Sequence, residues 1–327
     1  MSYLFFKASR DATAQITDLF DFMWPTIAGV WNLREQVKDH LSKNPSATDK
    51  DLREKFISGS KINNVNFRKS FIKHTWEEQE QKLAEFLLTN IFAIHENWLE
   101  EVYYAMYPQH INTNTSTSWF TKGMQFPFNS NSSNYHVWRA IRRACRNESI
   151  MLKDAFYSSL CANKKNSKQN LNNLMICYRF FKECRNTIVH NAGKVKLGSN
   201  LINAYNQFIT VSNTNSLDVK EVPEHLPVVI GTNLSISLRG VVGFCEVVLR
   251  IITTCDAELA KSLNAENEFE RAWKQSKQKD RTLKKESTKR EKQIKRYLIK
   301  LQYPEPTSVA RIEDFIVNQK NLVFQST

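Results

Sequence analysis

The sequence predicts a mainly α-helical protein, and three observations carry that expectation. Hydrophobic residues make up 41 % of the 327 positions while Gly and Pro number only eight each, a balance ordinary for a soluble, mostly helical chain. Long stretches repeat apolar residues at three- and four-residue spacing, the period of a helix that buries one face. Short β-branched runs bounded by turn residues are confined to the region between 194 and 236.

Taken in order, residues 10 to 43 read as a long helical segment interrupted by Pro25, because a proline inside a helix removes a hydrogen bond. Leu19, Phe20, Met23, Trp24, Ile27, Val30, Trp31 and Leu33 supply its buried face. A short helix is expected from Asp49 to Ile57, then an irregular basic stretch to Lys73. The longest clear helix runs from about Thr75 to Met106. Thr75 with Glu78 three residues later is a capping-box pattern. Leu83, Leu87, Ile91, Ile94, Trp98 and Val102 form one stripe, widened by Leu88, Phe92, Leu99 and Tyr103. So wide an apolar arc marks a helix with neighbours on several sides. His95 falls inside that arc and reads as a hydrogen-bonded core histidine.

An Asn/Ser/Thr-rich loop is expected over 107–135, followed by a helix from about 136 to 160 that carries Arg139, Arg142, Arg143 and Arg146. A polar turn, "ANKKNSKQN", precedes a helix from about 169 to 190. Between 194 and 236, "QFITVS", "SLDVKEV" and "LPVVIGTNLSISL" read as small strands or extended loops. "LRGVVGFCEVVLRIITTCDAELAKSL" is a buried helix, despite Gly240 and Gly243 near its start. From 267 onward the chain is mainly charged, and residues 281–300 form a basic helix with little apolar face.

The formal net charge is +13, which bears on partners more than on fold. A chain so basic most often meets polyanions, nucleic acid foremost, the alternative being a basic surface with no bound polyanion. Six cysteines are scattered without a CxxC pair and read as reduced, mostly buried thiols of a cytoplasmic protein. No apolar run approaches the roughly 20 residues of a membrane span, and "MSYLFFKASRDATAQ" does not read as a secretory signal. There is no HxxxH pair, no Cys/His cluster, no GxxxxGK[ST], GxGxxG or GxSxG. Neither a metal site nor a cofactor cradle is therefore expected.

The stretch "FFKECRNTIVHNAGK", residues 180–194, concentrates the chemistry. On a helix, Arg185 and His190 stand about 140° apart and about 7.5 Å apart along the axis, while Asn186 and His190 share a face. A long arginine reaching around its helix can flank one small anion together with the imidazole. Gly193 is a natural C′ residue, which places His190 in the last turn, where the helix dipole favours a cation. Metal-free RNA cleavage needs these groups. A His takes the 2′-hydroxyl proton as that oxygen attacks phosphorus, an Arg fork stabilises the phosphoryl oxygens, and an amide orients the ring. Arg, Asn and His also gather near helix C-termini merely because cations and amides are favoured there.

"RNTIVH" followed by "NAG" resembles the signature of the HEPN superfamily, an Arg and a polar residue, then a His at the end of a helix. The helical context over roughly residues 70–265 is similar as well. The resemblance implies an antiparallel helical bundle with a small extended or β excursion after the motif helix, plus amino- and carboxy-terminal helical additions. The divisions would be 1–70, 71–265 and a basic 266–327. It further implies a metal-independent endoribonuclease that dimerises so that two motifs face one cleft, leaving a 2′,3′-cyclic phosphate and a 5′-hydroxyl. Arg185 and His190 would be the catalytic pair and Asn186 the polar residue beside the Arg. Glu96 is the candidate acidic residue on the first long helix, or else an ordinary solvated edge.

Arg139, Arg142, Arg143 and Arg146 read as a phosphate-contacting ridge near the catalytic cleft, or as a solvated face. In the carboxy-terminal helix Arg281, Lys284, Lys285, Lys289, Arg290 and their neighbours lean toward RNA contact, with Tyr297 and Tyr303 as candidate stacking partners. The functional expectation is a toxin or abortive-infection ribonuclease of bacterial anti-phage defence, with an antitoxin or sensor protein as a further partner. A non-catalytic RNA- or protein-binding module of the same fold is the alternative.

Overall fold

The computed structural model describes residues 4–111, 118–128, 135–276 and 282–325. The chain is mainly helical. Helix α1 spans Lys7–Lys43, α2 Asp49–Ile57 and α3 Trp76–Met106. The short α4 (Ser118–Gly123) and α5 (Val137–Ala144) follow. Then α6 (Ile150–Leu152) and α7 (Ser158–Cys161) are joined by a wide π-helical turn over Lys153–Tyr157. Helix α8 (Leu171–Asn191) carries the motif. It is followed by α9 (Asn200–Val211), α10 (Thr214–Leu217), α11 (Leu238–Leu259) and α12 (Leu263–Gln275). The end of the chain holds α13 (Ser287–Lys300) and α14 (Val309–Asp314), with a two-residue parallel pair of strands, β1 (Thr282–Leu283) and β2 (Phe324–Gln325).

Several boundaries follow directly from local chemistry. Thr75 accepts from the Glu78 backbone N–H while Glu78 reaches back to that of Thr75, which closes the expected capping box of α3. Thr48 and Asp51 close a second one at α2. Other expectations are corrected. Helix α1 runs unbroken through Pro25. The proline lies on the exposed side, where solvent can satisfy the carbonyl left without its N–H partner. Trp24 and Trp31, assigned to a buried face, remain 48 % and 43 % exposed. The helix expected over 136–160 breaks at Cys145–Ser149. There the backbone pairs instead with the start of α12, Ser149 N–H donating to Lys261 O at 2.7 Å and Leu263 N–H to Asn147 O at 2.8 Å. "QFITVS" is the end of helix α9, whose Phe208 stacks on Phe180 of α8 at 4.8 Å. Tertiary packing there overrides the strand preference of Ile209, Thr210 and Val211.

The core is built around α11, where every residue from Arg250 to Leu259 is buried, against α3 and α8. Phe244 of α11 stacks on Phe92 of α3 at 5.2 Å and on Phe181 of α8 at 4.5 Å. Gly240 and Gly243 let the loop at Pro223–Glu224 lie on the α11 backbone. A Cβ at Gly240 would meet Glu224 O at 2.2 Å. One apolar core takes residues from Leu4 to Val323, crossing the divisions expected at 70 and 265. A small satellite core of Val37, Leu52, Phe67 and Phe71 joins the far half of α1 to α2. Cys177 and Cys184 are core residues, and all six cysteines are free thiols. No helix among the described residues is long and apolar enough to cross a membrane.

Asp256 ties the amino terminus to this core. Helix α1 has no cap of its own. The fully buried Asp256 carboxylate accepts from the N–H groups of Phe5 and Phe6 at 2.6 and 3.0 Å. Burial pushes this carboxyl up to about 6, opposed by hydrogen bonds from Ser9, Phe5 and Phe6 and by Arg10. Because folding raises its pKa from 3.8 to about 6, its contribution to stability is full below about pH 4 and is lost as pH rises through about 6. Asp256→Ala is expected to lower stability by about 2–5 kcal/mol at pH 5, since two buried N–H groups lose their acceptor. In urea titrations the gap between wild type and variant should narrow toward pH 7. A gap that widens with pH would contradict this account.

Candidate active site

Helix α8 enters the motif as a buried core helix and leaves it at the surface. Phe180, Phe181, Cys184 and Thr187 are buried, and Val189 and His190 are exposed. The end is shaped by two successive left-handed residues, Ala192 (φ 49°) and Gly193 (φ 79°). Both N–H groups turn back to Thr187 O, that of Gly193 at 3.1 Å. Gly193 thus takes the C′ position expected of it, and the C-cap residue Ala192 before it is left-handed as well,. His190 still lies in the last turn.

The segment after the motif is held by an extended clasp in place of a sheet. Val195 N–H donates to Thr232 O at 3.0 Å, Gly231 N–H to Val195 O at 2.9 Å, and Leu234 N–H to Gly193 O at 2.8 Å. Lys194 and Asn233 form an isolated antiparallel bridge. The expected excursion is thus helical in its first half and extended in its second.

His190 and Asn186 line one hollow of about 360 Å³, together with Glu183, Thr187 and the start of α9 at Ser199–Asn200. Arg185 does not line it. Its guanidinium turns along the helix, where Nη1 donates to Asn186 Oδ1 at 3.4 Å, and its Nε is buried with no hydrogen-bond partner. Asn186 Nδ2 in turn donates to Glu183 at 3.4 Å. Glu183, 9 % exposed, is ion-paired to Arg179. Arg179 also sits over the Phe126 ring at 4.3 Å. Arg185, Asn186, Glu183 and Arg179 therefore form one connected polar row along α8.

Glu96 of α3 faces this row through Lys182, whose ammonium lies 3.1 Å away and also donates to Gln125. Burial holds Lys182 below the ordinary lysine value, with Glu96 opposing and Arg179 and Arg185 reinforcing that shift. Glu96 is thus a paired residue at the α3–α8 seam, and it neither touches His190 nor lines its hollow. Arg179, Lys182 and Glu183 were not singled out from sequence. The i,i+4 spacing of Arg179 and Glu183 was the signal that could have found them. His95 is fully buried, with Nδ1 3.2 Å from Tyr178 Oη, and burial pushes its imidazole down to about 3.

The four arginines of α5 and the turn after it occupy a different place. They line a second hollow of about 660 Å³ with Tyr103, Tyr107 and Trp119 at the end of α3. The other end of α3 meets the motif region: Gln81 Nε2 donates to Leu234 O at 3.1 Å, and Leu234 N–H donates to Gly193 O. From Gln81 to Tyr103 the helix rises roughly 33 Å. The ridge and His190 thus line two different hollows with no described lining residue in common.

The basic helix expected over 281–300 begins only at Ser287, so Lys284 and Lys285 precede it; both are exposed, as is Lys289 within α13, but Arg290 is not a free surface cation. It pairs with Glu313 at 2.7 Å and donates to the carbonyls of Lys284 and Lys285. Lys289 pairs with Glu286 at 2.7 Å. Ile294, Tyr297 and Leu298 form a buried face, and Tyr303 is buried beside Phe5 and Phe269. Neither tyrosine is available to stack on a base. Arg281 lies outside the described residues. Among the described residues no group of three or more His, Cys, Asp and Glu side chains is placed to hold a metal.

The chain matches no family model, no curated protein and no solved structure.

The polar row can be tested independently of any activity. Glu183→Ala leaves the Arg179 guanidinium, 17 % exposed, without its carboxylate, and breaking one side of a buried pair costs about 3–5 kcal/mol. The Arg179→Ala, Glu183→Ala double variant should be less destabilised than the sum of the singles in denaturant titrations. Additive losses would show that the row does not act as a unit.

Proposed function

We propose that the chain is a metal-independent endoribonuclease of the HEPN type, acting as a toxin or abortive-infection effector in bacterial anti-phage defence. The observation that carries this reading is the helix end itself. An exposed imidazole stands beside an amide in an open hollow, one turn beyond a guanidinium that retains an unpartnered donor. In the reaction, His190 of one chain takes the proton of an RNA 2′-hydroxyl as that oxygen attacks the adjacent phosphorus. The new P–O bond closes a 2′,3′-cyclic phosphate. The bond from phosphorus to the 5′-oxygen breaks, that oxygen takes its proton from solvent water, and Arg185 stabilises the charge that builds on the phosphoryl oxygens.

Within one chain Arg185 and His190 do not share a hollow, which supports a site composed from two copies around a two-fold axis. The surroundings of His190 favour such pairing. Val189 is 50 % exposed and Leu197 83 %, and Val229 and Ile230 on the clasp loop are about half exposed. An apolar collar of this kind suits an isologous contact. The same separation of Arg185 from His190 favours the second reading, a non-catalytic RNA- or protein-binding module.

Purified protein incubated with RNA and EDTA should cleave it and leave cyclic phosphate ends. His190→Ala should abolish cleavage, and Arg185→Ala should slow it by about 10²–10³. Strict dependence on a divalent ion, or wild-type rates in His190→Ala, would exclude the mechanism. Absence of cleavage with retained RNA binding would favour the second reading.

Leu197→Asp and Val189→Asp should shift light-scattering mass from dimer toward monomer and reduce cleavage in parallel. A monomeric wild type with full activity would remove the composite site.

Reversal of Lys284, Lys285, Lys289 and Lys292 to Glu should flatten the salt dependence of RNA binding. The log–log slope should fall by roughly 0.7 for each phosphate of a single strand that is no longer neutralised. The saturated rate should stay nearly unchanged. Unaltered affinity and slope would exclude α13 as an RNA-binding element.

A further inference from the structure

The hollow at the far end of α3 is composed as an anion site with an aromatic wall. Arg139, Arg142, Arg143 and Arg146 are all exposed around it. No carboxylate among the described residues lines it. Of the acids near it in the chain, Glu148 pairs with Lys153 at 2.7 Å and Glu266 with Ser149 Oγ at 2.5 Å. Arg142, Arg143 and Arg146 bring like charge into one small space, and a bound polyanion relieves their mutual repulsion,. Leu263 and Asn264, the first two residues of α12, form part of the wall. They bring the positive end of a thirteen-residue helix to the same place,.

The opposite wall is aromatic and ordered. The Arg143 guanidinium lies over the Trp119 ring at 4.3 Å. Tyr107 meets Trp119 nearly edge-on at 6.1 Å and 80°. Tyr107 also stacks on His110 at 5.6 Å and 8°, and Tyr103 Oη fixes that imidazole through a 2.6 Å hydrogen bond to Nδ1. An indole already faced by a guanidinium offers a planar heterocycle both stacking and charge. A volume of about 660 Å³ suits one small molecule.

We propose that this hollow binds a free nucleoside polyphosphate, with the phosphates among Arg139, Arg142 and Arg146 and the base against Trp119 and Arg143. A nucleic-acid strand requires a basic groove that continues along its backbone, whereas among the described residues the wall beyond the arginines has no lysine or further arginine. Convergent arginines around one concavity fit a compact polyanion better. The site is separate from the motif hollow, so it stands whether or not the chain cleaves RNA.

The test is calorimetric titration of the full chain with ATP, GTP, inorganic triphosphate and a short single-stranded RNA. A nucleoside triphosphate should bind once per chain, more tightly than inorganic triphosphate, and more weakly as salt rises. The Arg142→Glu, Arg146→Glu double variant changes exposed residues only, and should weaken nucleotide binding at least about 30-fold while melting as wild type does. Trp119→Leu should weaken ATP but not inorganic triphosphate. The proposal is overturned if no nucleotide binds at millimolar concentration, or if the arginine variant binds as wild type. It is equally overturned if only the RNA oligonucleotide binds at these residues, or if inorganic triphosphate binds as tightly as ATP. Because every readout is binding at this hollow, failure here leaves the ribonuclease reading standing, and failure of cleavage leaves this one standing.

Discussion

Burying α11 on all sides is the constraint on which the rest of the structure depends. A helix enclosed over its last ten residues has no solvent to satisfy its polar side chains, yet this one carries Arg250, Asp256 and Glu258. Each must be met by another segment. Arg250 donates to Asp218 and to Ser167 Oγ, both at 2.8 Å. Glu258 accepts from Tyr157 Oη at 2.6 Å and pairs with Lys168 and Lys261. Asp256 takes the amino-terminal backbone. Leaving any of these charges unmatched would cost several kcal/mol, so the connections around the bundle are arranged by the demands of one helix.

Helix α3 carries two dissimilar surfaces. Near its start lies the clasp that supports the end of α8, and at its finish lies the arginine hollow. The motif side joins the polar row of α8 to exposed apolar groups at Val189 and Leu197. The arginine side is strongly cationic and walled with aromatics, a surface suited to a small anion. Between them Glu96 of α3 meets Lys182 of α8 at 3.1 Å, which fixes the two helices against each other.

Much of the helical framework was legible because its signals are local. The Thr75–Glu78 capping box, the stripe from Leu83 to Val102 and the apolar run into Arg185 all depend on neighbours a few residues apart. What escaped reading depends on distant partners. Pro25 is tolerated because its side of α1 faces water, and Ile209–Val211 is helical because Phe208 packs on Phe180. Tyr297 and Tyr303 are buried because α12 and Phe5 cover them. At the candidate site, the placement of His190 and Asn186 on one face follows from helix period alone. The same period sets Arg185 about 140° from His190, and only its bond to Asn186, backed by the Glu183–Arg179 pair, had to come from the structure. That the arginine ridge and His190 line different hollows depends on how the helices pack, which no spacing within the sequence encodes.

The link from Asp256 to Phe5 also orders events in time. Its two ends are 251 residues apart in the chain, so the start of α1 emerges from the ribosome long before the carboxylate that caps it exists. At typical synthesis rates of about 5–20 residues per second, the first helix waits roughly 12–50 s for that partner. During the wait Phe5 and Phe6 have no core to enter, because Phe156, Phe269 and Tyr303 are also late arrivals. A nascent chain halted before residue 256 therefore presents an uncapped helix and two unburied aromatic rings, which is the kind of surface that chaperones hold.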